Sequence, residues 1–188
     1  MARVTAIYRP SDYPGALDAQ TAADLAELFG HMFPGVEEPE IDKAHTGMAI
    51  AALNPKLALH LSRLSGFAAL QLGWSQRADL REIAIQTVNL HFRSAYSAQS
   101  RFKAWEAAGL SKDQLAALPF WQGTDLFDDE QRLVIEYALA VVTGEVPEAL
   151  FASVAARYGE KGAVECTAVI GIWSMWAMLL NATLPGYE

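Results

Sequence analysis

Apolar residues along this chain recur every three or four positions rather than every two, the spacing of helices that bury one face. The pattern predicts an all-α protein. Capping and turn-forming residues then divide it. Ala16–Met32 reads as a first helix with Asp18 or Thr21 near its start, and FPGVEEPEID after it, with two prolines and four acids, reads as a solvated loop. His45–Asn54 gives a short helix, and Pro55–Trp74 a longer one with proline at a favourable first-turn position. Ser75 or Asp79 caps a helix running to about Phe92, and Ser94 caps the next, which ends at Gly109. Ser111 and Gln114 have capping-box spacing for a further short helix. Asp128 and Asp129 open Glu130–Thr143, Gly144 and Pro147 end it, and Glu148–Tyr158 and Lys161–Ala182 complete a bundle of about eight helices.

Two of these helices carry unusual patterns. Val164–Leu180, VECTAVIGIWSMWAMLL, is apolar around its whole circumference, as suits a helix at the centre of a bundle or of a subunit interface. It reaches the short limit for crossing a bilayer, but no basic flank marks either end, so a buried helix is expected and no membrane partner. The helix Asp79–Phe92 instead lines up Glu82, Gln86, Asn89 and, at its end, Arg93 at steps of four, three and four. Such a polar stripe is either a wet side or the wall of a pocket.

Composition narrows the chemistry. At 188 residues and 52% hydrophobic content the chain can bury a sizeable core. Its formal charge of −8 argues against a nucleic-acid partner, which would need clustered Lys and Arg to displace counterions. Cys166 is the single cysteine, which rules out an intrachain disulfide and a Cys-rich metal site; it reads as an inert core thiol in a reducing compartment. The opening MARVTAIYRPSDYPG lacks the apolar segment of a signal peptide, so a cytoplasmic location is expected. No H-E-x-x-H, glycine-rich phosphate loop or G-x-S-x-G occurs, and neither a metal nor any other cofactor is expected.

The stretch Asp79–Ser111, DLREIAIQTVNLHFRSAYSAQSRFKAWEAAGLS, resembles the core of the carboxymuconolactone decarboxylase and alkylhydroperoxidase superfamily. There an R-E-x-A-I helix leads into a C-x-x-C-x-x-x-H helix ending in A-G-L-S. Here the cysteine positions hold Ser94 and Ser97 and the histidine position holds Arg101, while Glu82 keeps the place of the upstream glutamate. The resemblance extends from about Asn54 to Ala182, through LFDDEQRLVIEYA and VPEALFASVAARYGEKGAVE. It implies an alkylhydroperoxidase-like helical bundle over residues 46–188, with residues 1–45 forming an N-terminal helix and acidic arm packed on that core. It also implies a homo-oligomer, whether dimer, trimer or hexamer.

Within the resemblance, the glutamate matching Glu82 faces the site, which favours a pocket wall for the stripe. Dithiol peroxidase chemistry needs a low-pKa cysteine, a resolving cysteine and a proton carrier, so Ser94, Ser97 and Arg101 cannot supply it. Ser94 suits a helix cap and Ser97 a first-turn residue. The decarboxylase branch places glutamate and histidine where this chain has Ser97 and Arg101. Arg101 stays protonated, and its planar fork suits a carboxylate or enolate-like anion. The expected site therefore has Glu82 as acid/base and Arg101 as anion clamp, with Tyr96 and His91 as further proton carriers. Gln86, Asn89, Ser94, Ser97 and Arg101 would contact the substrate. His91 lies roughly opposite Glu82 on its helix, which suits a core or interface histidine better than a site residue, and packing suits Tyr96 better than donation to a substrate.

The leading expectation is a cofactor-free lyase or decarboxylase acting on a small carboxylated or aromatic metabolite. One alternative is a non-catalytic ligand-binding or scaffold protein in which Glu82 and Arg101 form a buried ion pair. Another is a peroxidase-related antioxidant protein by homology. An open polar cavity beside Glu82 and Arg101 would favour the enzyme, and a filled one the scaffold.

Overall fold

Asp18 accepts the Thr21 backbone N–H at 2.7 Å and so starts α1, Ala19–Met32, in the computed structural model, which describes residues 3–183. Along the chain follow α2 (Thr46–Ala51), α3 (Pro55–Leu70), α4 (Ala78–His91), α5 (Ala95–Ser100) and α6 (Phe102–Ala107). Then come α7 (Lys112–Ala117), α8 (Asp129–Thr143) and α9 (Glu148–Thr183). The described residues contain no strand, and the all-α expectation holds. Capping boxes open α7 at Ser111 with Gln114 and α8 at Asp128 with Gln131. Gly109 follows α6 with a φ of 80°, the left-handed turn that a side chain would disfavour. Inside α9, Gly159 has φ 74° and ψ 166°, which breaks the helix into the two arms expected on either side of it.

Elsewhere local chemistry overrides the sequence reading. The helix expected from Ser94 to Gly109 breaks at Arg101, whose N–H bonds the Ala98 carbonyl three residues back, so α5 and α6 are separate. Neither Ser75 nor Asp79 caps α4: Arg77 holds the cap position and draws Asp79 into an ion pair at 2.8 Å, while Ser75 is buried. The helix expected to reach Trp74 stops at Leu70, because the Gln76 amide donates to the Leu70 and Leu72 carbonyls, at 2.9 and 3.1 Å, and closes a turn. LPFWQG, Leu118–Gly123, forms a 3-10 segment that the pattern did not announce.

Contacts divide the chain into two compact units, cut inside α3 and again inside α9. One unit takes the chain up to Gly66 together with the stretch from Leu179. It buries Ile7, Leu25, Leu28, Phe29 and Leu59, and the Arg3 N–H donates to the Thr183 carbonyl at 2.8 Å. The acidic loop FPGVEEPEID is solvated along most of its length. Ile41 is its buried anchor, and the N–H of Ile41 bonds the Tyr8 carbonyl at 2.9 Å.

The other unit, Phe67–Met178, holds the predicted site. Leu80, Ile83, Ala84, Ile85 and Val88 bury α4 completely, and its most extensive partner is α8. Cys166, Val169 and Ile170 of α9 lie in the same core with no exposed surface. By length and composition alone α9 is also the one described helix able to cross a membrane. Glu130, in the first turn of α8, ties the unit together: Arg157 donates to it at 3.1 and 2.8 Å and Arg77 at 3.1 Å. These bonds hold its carboxyl down at about 2, from an ordinary 4.5, with Arg157 the largest cause.

Candidate functional site

The polar stripe of α4 is not a wet side. Glu82 has no exposed surface, Gln86 is 3% exposed and Asn89 is 1% exposed. Burying three polar side chains on one face costs free energy unless each finds a partner, so their partners define what the face is for.

Glu82 is fully engaged. Arg101, in the turn between α5 and α6, donates Nε to Oε2 at 3.0 Å and Nη2 to Oε1, a two-pronged pairing. Arg81 adds Nε to Oε1 at 3.1 Å, and its Nη1 donates to the carbonyls of Ala69 and Ser75 at 2.7 and 2.9 Å. The Arg101 guanidinium also lies over the Trp173 ring of α9 at 5.7 Å, a cation–π contact. One carboxylate thus neutralises one of two part-buried cations and pins the α5–α6 turn to α4. Spacing arguments missed Arg81. Adjacent residues on a helix point about 100° apart, and only the length of the arginine lets it reach back to its neighbour.

Gln86 and Asn89 do something different. Gln86 donates its amide nitrogen to the Ala98 carbonyl at 3.0 Å, which leaves its oxygen to accept from Asn89 Nδ2 at 3.2 Å. This relay fixes the sense of both amides. It ends in Asn89 Oδ1, a buried acceptor with no hydrogen-bond partner in the described structure, and the buried Ser94 hydroxyl has none either. Ser94 occupies the cap position of α5 but makes no side-chain cap bond, so its expected capping role is not what the structure shows.

Asn89 and Ser94, which carry these unpartnered groups, are both among the residues lining one cavity of about 390 Å³. Gln86, Asn89 and Ser94 form its polar wall, and Leu90, Ala98, Phe102, Leu115, Leu118 and Pro119 its apolar one. Arg93 is also part of the lining, and its φ of 52° is the single positive value outside glycine among the described residues. Leu115 of α7 and Leu118 and Pro119 of the unanticipated 3-10 segment supply part of the apolar wall, which is why residues of α4 and α5 alone gave only the polar side.

The predicted residues therefore separate. Gln86, Asn89 and Ser94 meet at the cavity; Glu82 and Arg101 form the ion cluster and do not line it. Ser97 is buried on α5 and outside the lining, as is half-buried Tyr96. His91 is exposed on the last turn of α4, edge-on to Phe92 at 4.9 Å, away from Glu82. Burial pushes the Cys166 thiol up, the opposite of what a nucleophilic thiolate requires. Among the described residues no three His, Cys, Asp or Glu side chains are placed to hold a metal.

Comparison with known proteins adds one partial likeness. No protein-family profile matches the chain, and no solved structure does. The chain is 38% identical over 74 residues to the "Uncharacterized protein YnjA" of Escherichia coli (strain K12), a match covering 38% of this chain and 41% of that protein. The shared segment thus spans about two fifths of the relative's own length.

Proposed function

We propose that this chain binds a small, mostly apolar molecule in the cavity beneath α4 and α5, and that the Glu82 cluster is the scaffold holding the wall of that cavity. The carrying observation is that two residues lining the same cavity, Asn89 and Ser94, each bury a polar atom, Oδ1 and Oγ, that has no partner among the described residues. Leaving a buried polar atom unpaired costs about 1–3 kcal/mol, a cost that a ligand with matching polar groups removes on binding. A volume near 390 Å³ with mainly apolar walls is the ordinary size of a small-molecule site. On this reading the chain keeps the frame of the carboxymuconolactone decarboxylase superfamily, and its recognition groups sit beside the old redox positions.

Glu82 suits the scaffold role because all its polar capacity faces arginine. To take a substrate proton it would first have to surrender charge-assisted bonds. The acid/base reading keeps one observation in its favour: Arg101 retains 24% of its side chain in solvent, an approach for an anion.

The test uses N-phenyl-1-naphthylamine, a neutral apolar fluorophore whose single N–H can donate to Asn89 Oδ1. Titration should give saturable one-site binding to the native chain and none to Ala98→Phe, in which the ring fills the cavity. Absence of binding to the native chain overturns the proposal, and so does unchanged binding to Ala98→Phe.

A further inference from the structure

Resting on that reading, we infer that the ligand is a monocarboxylate with an apolar body and a hydroxyl group, anchored by Arg93 together with Ser94 and Asn89. The argument begins with the backbone. α4 ends in the double hydrogen-bond pattern in which Ser94 N–H reaches the Asn89 carbonyl at 2.9 Å and Arg93 N–H reaches that of Leu90 at 3.1 Å. This closure puts Arg93 at the left-handed position, φ 52°, where glycine is the low-cost residue. A long charged side chain there forgoes stability that glycine would supply, and backbone strain of this kind collects at ligand sites.

The side chain is also uncommitted. Arg81 and Arg101 pair with Glu82, Arg77 pairs with Asp79 and Glu130, and Arg132 donates to the carbonyls of Trp121, Thr124 and Phe127. Among the described residues no carboxylate is paired with Arg93, which is exposed and lines the same cavity as Asn89 and Ser94. In a chain of net charge −8, a cation free at a mainly apolar mouth selects against neutral molecules of the same shape.

The chemistry of the three groups then fixes the ligand. A guanidinium offers paired donors, and the Ser94 hydroxyl offers one more, so the two together suit a carboxylate. Asn89 Oδ1 only accepts, and it repels a second anionic oxygen; it requires a donor, which a hydroxyl on the same ligand provides. The remaining walls, Leu90, Phe102, Leu115 and Leu118, have no polar side-chain atom, so the rest of the ligand is apolar and carries no second charge.

The probes are 3-hydroxybenzoate, its methyl ester and benzoate, each displacing N-phenyl-1-naphthylamine from the native chain, Arg93→Ala, Arg93→Gly and Asn89→Leu. The native chain should hold 3-hydroxybenzoate about tenfold more tightly than the ester, the scale of one charge-assisted bond at a solvated rim. Arg93→Ala and Arg93→Gly should both erase that preference, read as the ratio of acid to ester affinity within each variant. Arg93→Gly should in addition melt at a higher temperature than the native chain, because it relieves the left-handed strain. Asn89→Leu should remove the advantage of 3-hydroxybenzoate over benzoate. Fluorophore binding with equal affinity for acid and ester, or with no effect of Arg93→Gly, overturns the anchor alone. Failure of both fluorophore and acids to bind overturns the cavity reading and the anchor with it.

Discussion

Arg101 reaches back nineteen residues to hold both oxygens of Glu82, and the carboxylate it holds has no exposed surface. Arg81 shares that carboxylate, so the two ends of the pairing are unequal. Removing the glutamate strands two cations; removing Arg101 leaves Glu82 with a partner. Glu82→Gln should therefore destabilise by about 3–5 kcal/mol, the scale for breaking a buried pair, and Arg101→Gln by about 1.5–3 kcal/mol. Urea unfolding of each single variant and of Glu82→Leu with Arg101→Leu measures the coupling. A scaffold cluster predicts that the apolar double variant is more stable than Glu82→Leu alone. Equal or greater loss in the double variant would argue for a role beyond scaffolding.

The frame of this site was legible because caps and periodicity are local. Asp18, Ser111 and Asp128 act within three residues of themselves, and each cap forms where the sequence places it. That Glu82, Gln86 and Asn89 share one face was likewise readable from their spacing, but spacing left open whether that face was wet or buried. What escaped is what depends on reach and on distant chain. Arg81 turns to Glu82 through a long side chain, Gln76 ends α3 by bonding carbonyls behind it, and the apolar wall comes from residues past 115 with no pattern of their own. Arg93 looked like the last member of a stripe; only the closure of α4 shows that it occupies a position suited to glycine.

Acid should unlock the Arg77–Glu130–Arg157 junction. Because the Glu130 carboxyl is held at about 2, below its ordinary 4.5, its contribution to stability is present in full above pH 5 and fades as pH falls toward 2. Arg157→Ala removes the largest cause of that depression. The difference in melting temperature between the native chain and Arg157→Ala should accordingly be greatest near neutral pH and shrink steadily below pH 5. A gap that stays constant down to pH 2 would mean that Arg157 acts through packing instead.

Thiol chemistry should be absent. Cys166, the single cysteine of the chain, has no exposed surface, and burial raises its thiol. Peroxide consumption coupled to a dithiol reductant should remain at the background rate, and Cys166→Ser should leave it there. Turnover that this substitution abolishes would contradict the reading of Cys166 as core packing.

Three glycines of α9 separate conformational from steric necessity. Gly159 sits at φ 74° and ψ 166°, a region closed to other residues, although nothing lies within 4 Å of where a Cβ would go. Gly162 has ordinary helical surroundings, but a Cβ there would come within 2.6 Å of Tyr158 Cβ, at the break where Tyr158 packs edge-on to Trp74. Gly171 has neither constraint. Gly159→Ala should cost about 1–3 kcal/mol from backbone strain alone, and Gly162→Ala a similar ~1–3 kcal/mol from overpacking. Gly171→Ala should stabilise by about 0.5–1 kcal/mol, since alanine loses less backbone freedom in a helix. Tyr158→Gly, which removes the Cβ that Gly162→Ala would meet, should lessen the cost of Gly162→Ala and not that of Gly159→Ala, because only the first clash involves that atom. Melting curves for the three single variants and the two combinations with Tyr158→Gly, each compared with Tyr158→Gly alone, decide it, and rescue of Gly159→Ala would show that the break is set by packing around Tyr158 rather than by the backbone of Gly159.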